Sequence, residues 1–303
     1  MIPLLWCALA DTVVAEYTPE TVFVHEWGVV VVDEGYPEAR GNPSGRLDQD
    51  GYLIDFPEVE VKAPVIYIHG EECSGDFTVT IPNGNFISIF PFPDSVVNES
   101  LFGLETEGEV ATAVWEDLKV VADTPVQPSG PVPVPDIPDC FSWAVPMWRE
   151  VPANLLRYEP RGYADVFLYY ESSLYDTGMF AGENFGYEGD ALIFFAEDGQ
   201  LACVRSDVHG ETDAAGPALS DREIMEVLCR WGHNALKTEE IAALWNTWEP
   251  CLRTRCELEG RTMMMFPLSD EQEEAISRIS FVPNQNGLLV RYDRLLVGLG
   301  AIR

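Results

Sequence analysis

Basic side chains are scarce in this chain. Eighteen Lys and Arg face 51 Asp and Glu, giving a net charge of −33, and Lys62, Lys119 and Lys237 are the only lysines. So acidic a protein repels phosphate backbones and anionic lipid head groups, which argues against nucleic acid as a partner. No apolar run reaches the roughly 18 to 20 residues that a membrane-spanning helix needs. There is no Gly-rich phosphate loop, no Gly-x-Ser-x-Gly elbow, no kinase or dinucleotide fingerprint and no Cys-x-x-Cys pair. A Ser-His-Asp triad stays open, because its members need not be close in sequence. The adjacent acids Glu71-Glu72 and Glu239-Glu240 point to opposite faces of a strand, or about 100° apart on a helix, so neither reads as a glycosidase pair.

What is present is enough for a real core: 303 residues, 47% of them hydrophobic. Residues 1–20 read as a truncated signal peptide or an unstructured N-terminus, because the apolar "MIPLLWCALA" ends in the small-x-small form Ala8-Leu9-Ala10 but lacks a basic start. Cys7 would leave with such a peptide. Six cysteines then remain, Cys73, Cys140, Cys203, Cys229, Cys251 and Cys256, and an even count in an exported chain predicts disulfides. Cys251 and Cys256, in "CLRTRC", are close enough to pair across a short loop.

The strand signals begin at "TVFVHEWGVVVV", β-branched and aromatic, with Gly28 as a bulge or bend. "VKAPVIYIHG" is a second strand. "FTVTIPNGNFISIFPF" predicts a hairpin turning at Asn83-Gly84, and "VWEDLKVVAD" a further strand. Residues 125–139 are a Pro-rich connector. "YADVFLYYES" and "DALIFFAEDGQLACVR" add strands, the latter a hairpin at Asp198-Gly199. Helices are predicted near 220–232, 238–250 and 270–279; Ser220 with Glu223 and Ser269 with Gln272 form capping boxes. The expected architecture is α+β and predominantly β. A β-sandwich over 21–124 precedes an α+β region over 140–303, which carries a second sheet and a helical hairpin.

The order of these landmarks resembles an uncharacterised family of exported planctomycete and myxobacterial proteins. Its members open the mature chain with His-Glu-Trp-Gly, here His25-Glu26-Trp27-Gly28. "APVIYIHG", "VTIPNGNFISIFPF", "FLYYE", "EIAALWNTWEP", "MMMFP" and "LLVGLG" follow in the family's order over most of residues 22–300. The hairpin lacks the family's Trp-Tyr-Pro close, and "FLYYE" ends in Glu171 where the family has Arg. The resemblance implies a periplasmic, cell-surface or secreted protein and carries no reaction with it.

Four histidines are the chief candidates for chemistry. Three of them have a Glu beside them or two residues on: His25-Glu26, His69-Gly70-Glu71 and His209-Gly210-Glu211. Imidazole and carboxylate suit zinc, or iron in a two-His-one-carboxylate site, so His25, His69, His209, Glu71 and Glu211 are the candidate ligands. Within a strand, His25 and Glu26 face opposite ways and do not share one pocket. Asp48, Asp50 and Asp55 in "LDQDGYLID" partly match a calcium loop but lack its terminal Glu. No cofactor is predicted, with Ca²⁺ and Zn²⁺ as the ions to consider. Aromatics in "CFSWAVPMW" (Trp143, Trp148) and "FLYYESSLYDTGMFAGENFGYEG" are candidates for a sugar platform. The sequence favours a non-catalytic binding or structural envelope protein, with a carbohydrate or envelope-protein partner. The alternative is a metal-dependent hydrolase or oxygenase built on the histidines.

Overall fold

The computed structural model describes residues 21–32, 59–100, 109–121, 141–174, 179–180, 183–208 and 217–302. These residues form the strand-dominated α+β structure that the sequence predicts. The strands are β1 (Thr21–Val32), β2 (Val59–Gly70), β3 (Cys73–Ile81), β4 (Gly84–Phe90), β5 (Ser95–Ser100), β6 (Glu109–Val121) and β7 (Leu155–Tyr158). They continue with β8 (Tyr163–Asp165), β9 (Phe167–Leu174), β10 (Gly189–Glu197), β11 (Gln200–Val208), β12 (Thr262–Pro267), β13 (Arg278–Pro283) and β14 (Leu289–Ile302). Four α-helices accompany them: α1 (Val145–Trp148), α2 (Asp221–Trp231), α3 (Thr238–Arg253) and α4 (Asp270–Ile276).

An eight-stranded sheet runs β11-β10-β12-β14-β1-β2-β9-β4, and a second sheet runs β13-β3-β6-β7-β8 with β5 also paired to β6. The large sheet is the middle of three layers. One of its faces packs on the second sheet, joining Val22, Val24 and Val30 to Phe77, Val79 and Trp115. The other carries α1, α2 and α3, joining Trp27 and Val29 to Trp148, Ile241, Leu244 and Trp245. Strand β1 is therefore covered on both sides. That explains a sequence that reads as a nearly continuous apolar run rather than an alternation.

The Pro-rich segment does not divide the sheets. Strands from both sides of it interleave: β1 pairs with β14 in parallel and with β2 antiparallel, while β2 pairs with β9 and β3 with β13. The N-terminal strands thus do not close a sandwich of their own. A two-faced apolar strand needs partners and cover on both sides, and the C-terminal half supplies them.

The hairpin predicted at Asn83-Gly84 is also corrected. The turn forms, but β3 joins the small sheet against β6 and β13, whereas β4 joins the large sheet against β9. Turn residues specify the reversal and leave the pairing edge to tertiary packing. Likewise "YADVFLYYES" is broken at Val166, placing β8 in the small sheet and β9 in the large one. The Asp198-Gly199 hairpin pairs as predicted, with both residues at positive φ. Gly28 lies at a bulge, where the β1–β2 register slips between Trp27 and Val29. The helices start at their capping boxes: Ser220 accepts the Glu223 N–H and Ser269 that of Gln272.

Disulfides are absent among the described cysteines: Cys73, Cys203, Cys229, Cys251 and Cys256 are free. Cys251 and Cys256 do not flank a loop. Helix α3 runs straight into a single π-helical turn (Thr254–Leu258), and both thiols stay free within this continuous helical stretch. Burial pushes the thiols of Cys73 and Cys256 up to about 11, leaving them protonated and unreactive. Cys140 lies outside the described residues, as does residues 1–20, the 125–139 connector and the Asp48, Asp50, Asp55 loop.

Gly70, which follows His69, has φ +95°, and a Cβ there would stand 2.2 Å from the carbonyl oxygen of Thr21. Its lack of a side chain lets β1 approach. Gly70→Ala is expected to lower stability by about 1–3 kcal/mol, read as a lower urea midpoint with an unchanged slope.

Candidate functional site

Three elements bring His25, His69 and Glu240 together. His25 lies on β1 and His69 on β2, both on the face that meets the helices; their rings are 4.5 Å apart between centroids. Glu240 is the third residue of α3. Its Oε2 accepts the backbone N–H of Lys237 at 2.6 Å, so the carboxylate caps its own helix at the end where negative charge is favoured. The same carboxylate reaches both imidazoles. His25 Nδ1 is 2.9 Å from Oε2 and 3.2 Å from Oε1, and His69 Nε2 is 2.8 Å from Oε1.

The cluster is enclosed, with exposures of 1% for His25, 2% for His69 and 0% for Glu240. Burial by itself pushes the Glu240 carboxyl up, but hydrogen bonds from His25 and then His69 outweigh it and hold it at about 2. Glu240 is therefore ionised. Burial pulls His69 below the usual imidazole range, only partly offset by its bond to Glu240. Tyr67 is the register partner of His25 on β2, two residues before His69; burial first, and the Glu240 charge second, hold its phenol protonated. Outward of His25, its Nε2 faces Asp293 Oδ2 at 3.7 Å, across the β1–β14 pairing that sets His25 against Asp293. His69 Nδ1 is enclosed and has no hydrogen-bond partner.

Of the five candidate ligands read from the sequence, His25 and His69 converge. Glu71 does not join them: it sits just past β2, where its backbone N–H donates to the carbonyl of Thr21. His209 and Glu211 lie outside the described residues. The carboxylate at the site is Glu240, set aside in the sequence reading because its neighbour Glu239 diverges from it. The missed signal was the capping position: a Glu at N3 points back over the helix start, toward whatever that helix end covers. Among the described residues, His25, His69 and Glu240 are the one group of three or more potential ligands near enough to share a metal ion.

The expected opposition of His25 and Glu26 holds. Glu26 faces the second sheet, fully buried, with Arg294 Nε at 2.6 Å and the Tyr170 hydroxyl at 2.8 Å donating to it. Arg294 also donates to the carbonyl and hydroxyl of Ser277. Nearby Glu273 accepts the Leu296 N–H, and burial raises its carboxyl to about 7 against the pull of Arg294. The aromatics considered for a sugar platform are largely core. Trp148, Tyr169 and Tyr170 are fully buried, with the Trp148 indole donating to Thr247 Oγ1; Trp143 remains exposed.

Comparison with protein-family models, curated proteins and solved structures returns no match. The site must be read from its own chemistry. As it stands, two imidazoles and a carboxylate can tie a helix to a sheet, hold a cation, or both.

Glu273 has a testable pH signature. Its carboxyl takes up protons more readily folded than unfolded, so the stability it lends is complete below about 4.5 and is lost as pH rises through about 7. Glu273→Gln keeps an acceptor for Leu296 without the charge. The variant is expected to gain roughly 2–3 kcal/mol relative to the wild type between pH 4.5 and pH 8, measured by urea unfolding at each pH.

Proposed function

We propose that this chain is a non-catalytic binding or structural protein of the cell envelope or extracellular space, in which His25, His69 and Glu240 form an internal tie between sheet and helix. The observation that carries this reading is enclosure: none of the three side chains is more than 2% exposed. A metal-dependent hydrolase or oxygenase needs a coordination position that substrate can reach, and this cluster offers no open side to solvent.

The export component rests on the resemblance of the motif order to an exported family. Free thiols at the five described cysteines withdraw the disulfide argument for it. No helix among the described residues is long and apolar enough to cross a membrane. For the partner, the core positions of Trp148, Tyr169 and Tyr170 favour another envelope protein over a carbohydrate, because a sugar platform needs rings at the surface.

Two measurements test the reading. Native protein treated with diethyl pyrocarbonate is expected to react at His233, exposed in the turn after α2, and to spare His25 and His69 until it is unfolded. Native modification of His25 and His69 at the His233 rate reveals an open site and hands the argument to the enzyme. Glu240→Ala strands two buried imidazoles and a helix-end N–H, and is expected to cost about 3–5 kcal/mol in chemical unfolding.

A further inference from the structure

We propose that His25 Nδ1, His69 Nε2 and the Glu240 carboxylate bind one first-row divalent cation of the zinc class, with Asp293 as the outer carboxylate that orients His25. The inference rests on the reading of the cluster as an internal tie and names the ligand of that tie. Each of the three residues offers one donor atom, and these atoms lie within 4.8 Å of one another. They come from three separate elements, so the convergence is a product of the fold and not of a local turn.

The placement of carboxylates around the rings favours a cation. His25 Nδ1 and His69 Nε2 both point at Glu240, while His25 Nε2 is turned toward a second carboxylate, Asp293 Oδ2 at 3.7 Å. A cation suits this arrangement. The lone pair of Nδ1 points at the ion and Nε2–H points at Asp293, the carboxylate–histidine–metal relay. Two carboxylates also match the charge of one dication in an enclosed place.

His69 directs Nε2 inward at Glu240 Oε1, 2.8 Å away, while its Nδ1 on the far side of the ring is buried without a hydrogen-bond partner. Tetrahedral ligands about 2.0–2.1 Å from an ion stand about 3.3 Å apart, so the 2.8 and 2.9 Å contacts open by about 0.5 Å to admit it. Asp293 stands on the far side of the His25 ring and does not share the ion. The three side chains leave a fourth position for a single enclosed water that substrate does not reach. Two imidazoles and one carboxylate suit Zn²⁺ or Co²⁺, whereas Ca²⁺ and Mg²⁺ seek all-oxygen surroundings.

The test uses the full chain, stripped with chelator and titrated with Co²⁺. Expected are one equivalent bound per chain, visible d–d bands of low-coordinate Co²⁺, displacement by Zn²⁺, and a melting temperature that rises with Zn²⁺ and falls back with chelator. His69→Gln and Glu240→Gln lose the bands while His233→Gln keeps them, and Asp293→Asn binds about 10–100-fold more weakly. The wild-type measurements decide even where a ligand variant fails to fold. A folded wild type that takes up neither Co²⁺ nor Zn²⁺, with its melting temperature unmoved, overturns the proposal. So does uptake that persists unchanged in folded His69→Gln and Glu240→Gln. In either case the internal tie still stands if diethyl pyrocarbonate spares the two histidines and Glu240→Ala destabilises.

Discussion

Strand β1 is buried on both faces yet carries two adjacent polar residues, and each must be answered on its own side of the sheet. His25 is met by Glu240 from the helix layer and by Asp293 from the neighbouring strand. Glu26 is met by Arg294 and Tyr170 on the side of the second sheet. Both strand-borne answers come from β14, whose Asp293-Arg294 runs in parallel register with His25-Glu26. A slip of one residue in β1 would exchange the faces, turning Glu26 toward the Glu240 carboxylate and His25 toward the Arg294 guanidinium, so that neither keeps its partner. This register is therefore held by desolvated charge as well as by apolar packing.

That requirement accounts for several features around it. The C-terminal strand must lie beside the N-terminal one, which interleaves the two halves of the chain and prevents a separate N-terminal sandwich. Helix α3 must begin over the ends of β1 and β2, because its N3 carboxylate is the inward partner of both histidines. Its apolar face, with Ile241, Leu244, Trp245 and Trp248, then follows along the same sheet. Gly70 lets the two histidine-bearing strands close at that end.

Much of the local structure could be read from the residues. Capping boxes at Ser220 and Ser269, the Asp198-Gly199 turn and the bulge at Gly28 depend on short-range chemistry and lie where the sequence puts them. The opposite facing of His25 and Glu26 follows from the strand period alone. Partner choice was not legible. Asn83-Gly84 reverses the chain, but the reversal carries it from one sheet to the other. The spacing of Cys251 and Cys256 suits a short loop only until α3 continues through it.

The sequence by itself determined a β-dominated α+β protein, its helix starts, its turns, and the face each residue of β1 would present. These depend on dihedral preferences and on periods of two and 3.6, which act over a few residues. Only the tertiary structure decided that His25 and His69 meet Glu240 rather than Glu71, that β1 pairs with β14, and that the described cysteines stay free. Those outcomes join residues up to about 270 positions apart in sequence. They are set by which buried charges can be paired when two sheets and a helix layer close together, a condition that no local pattern encodes.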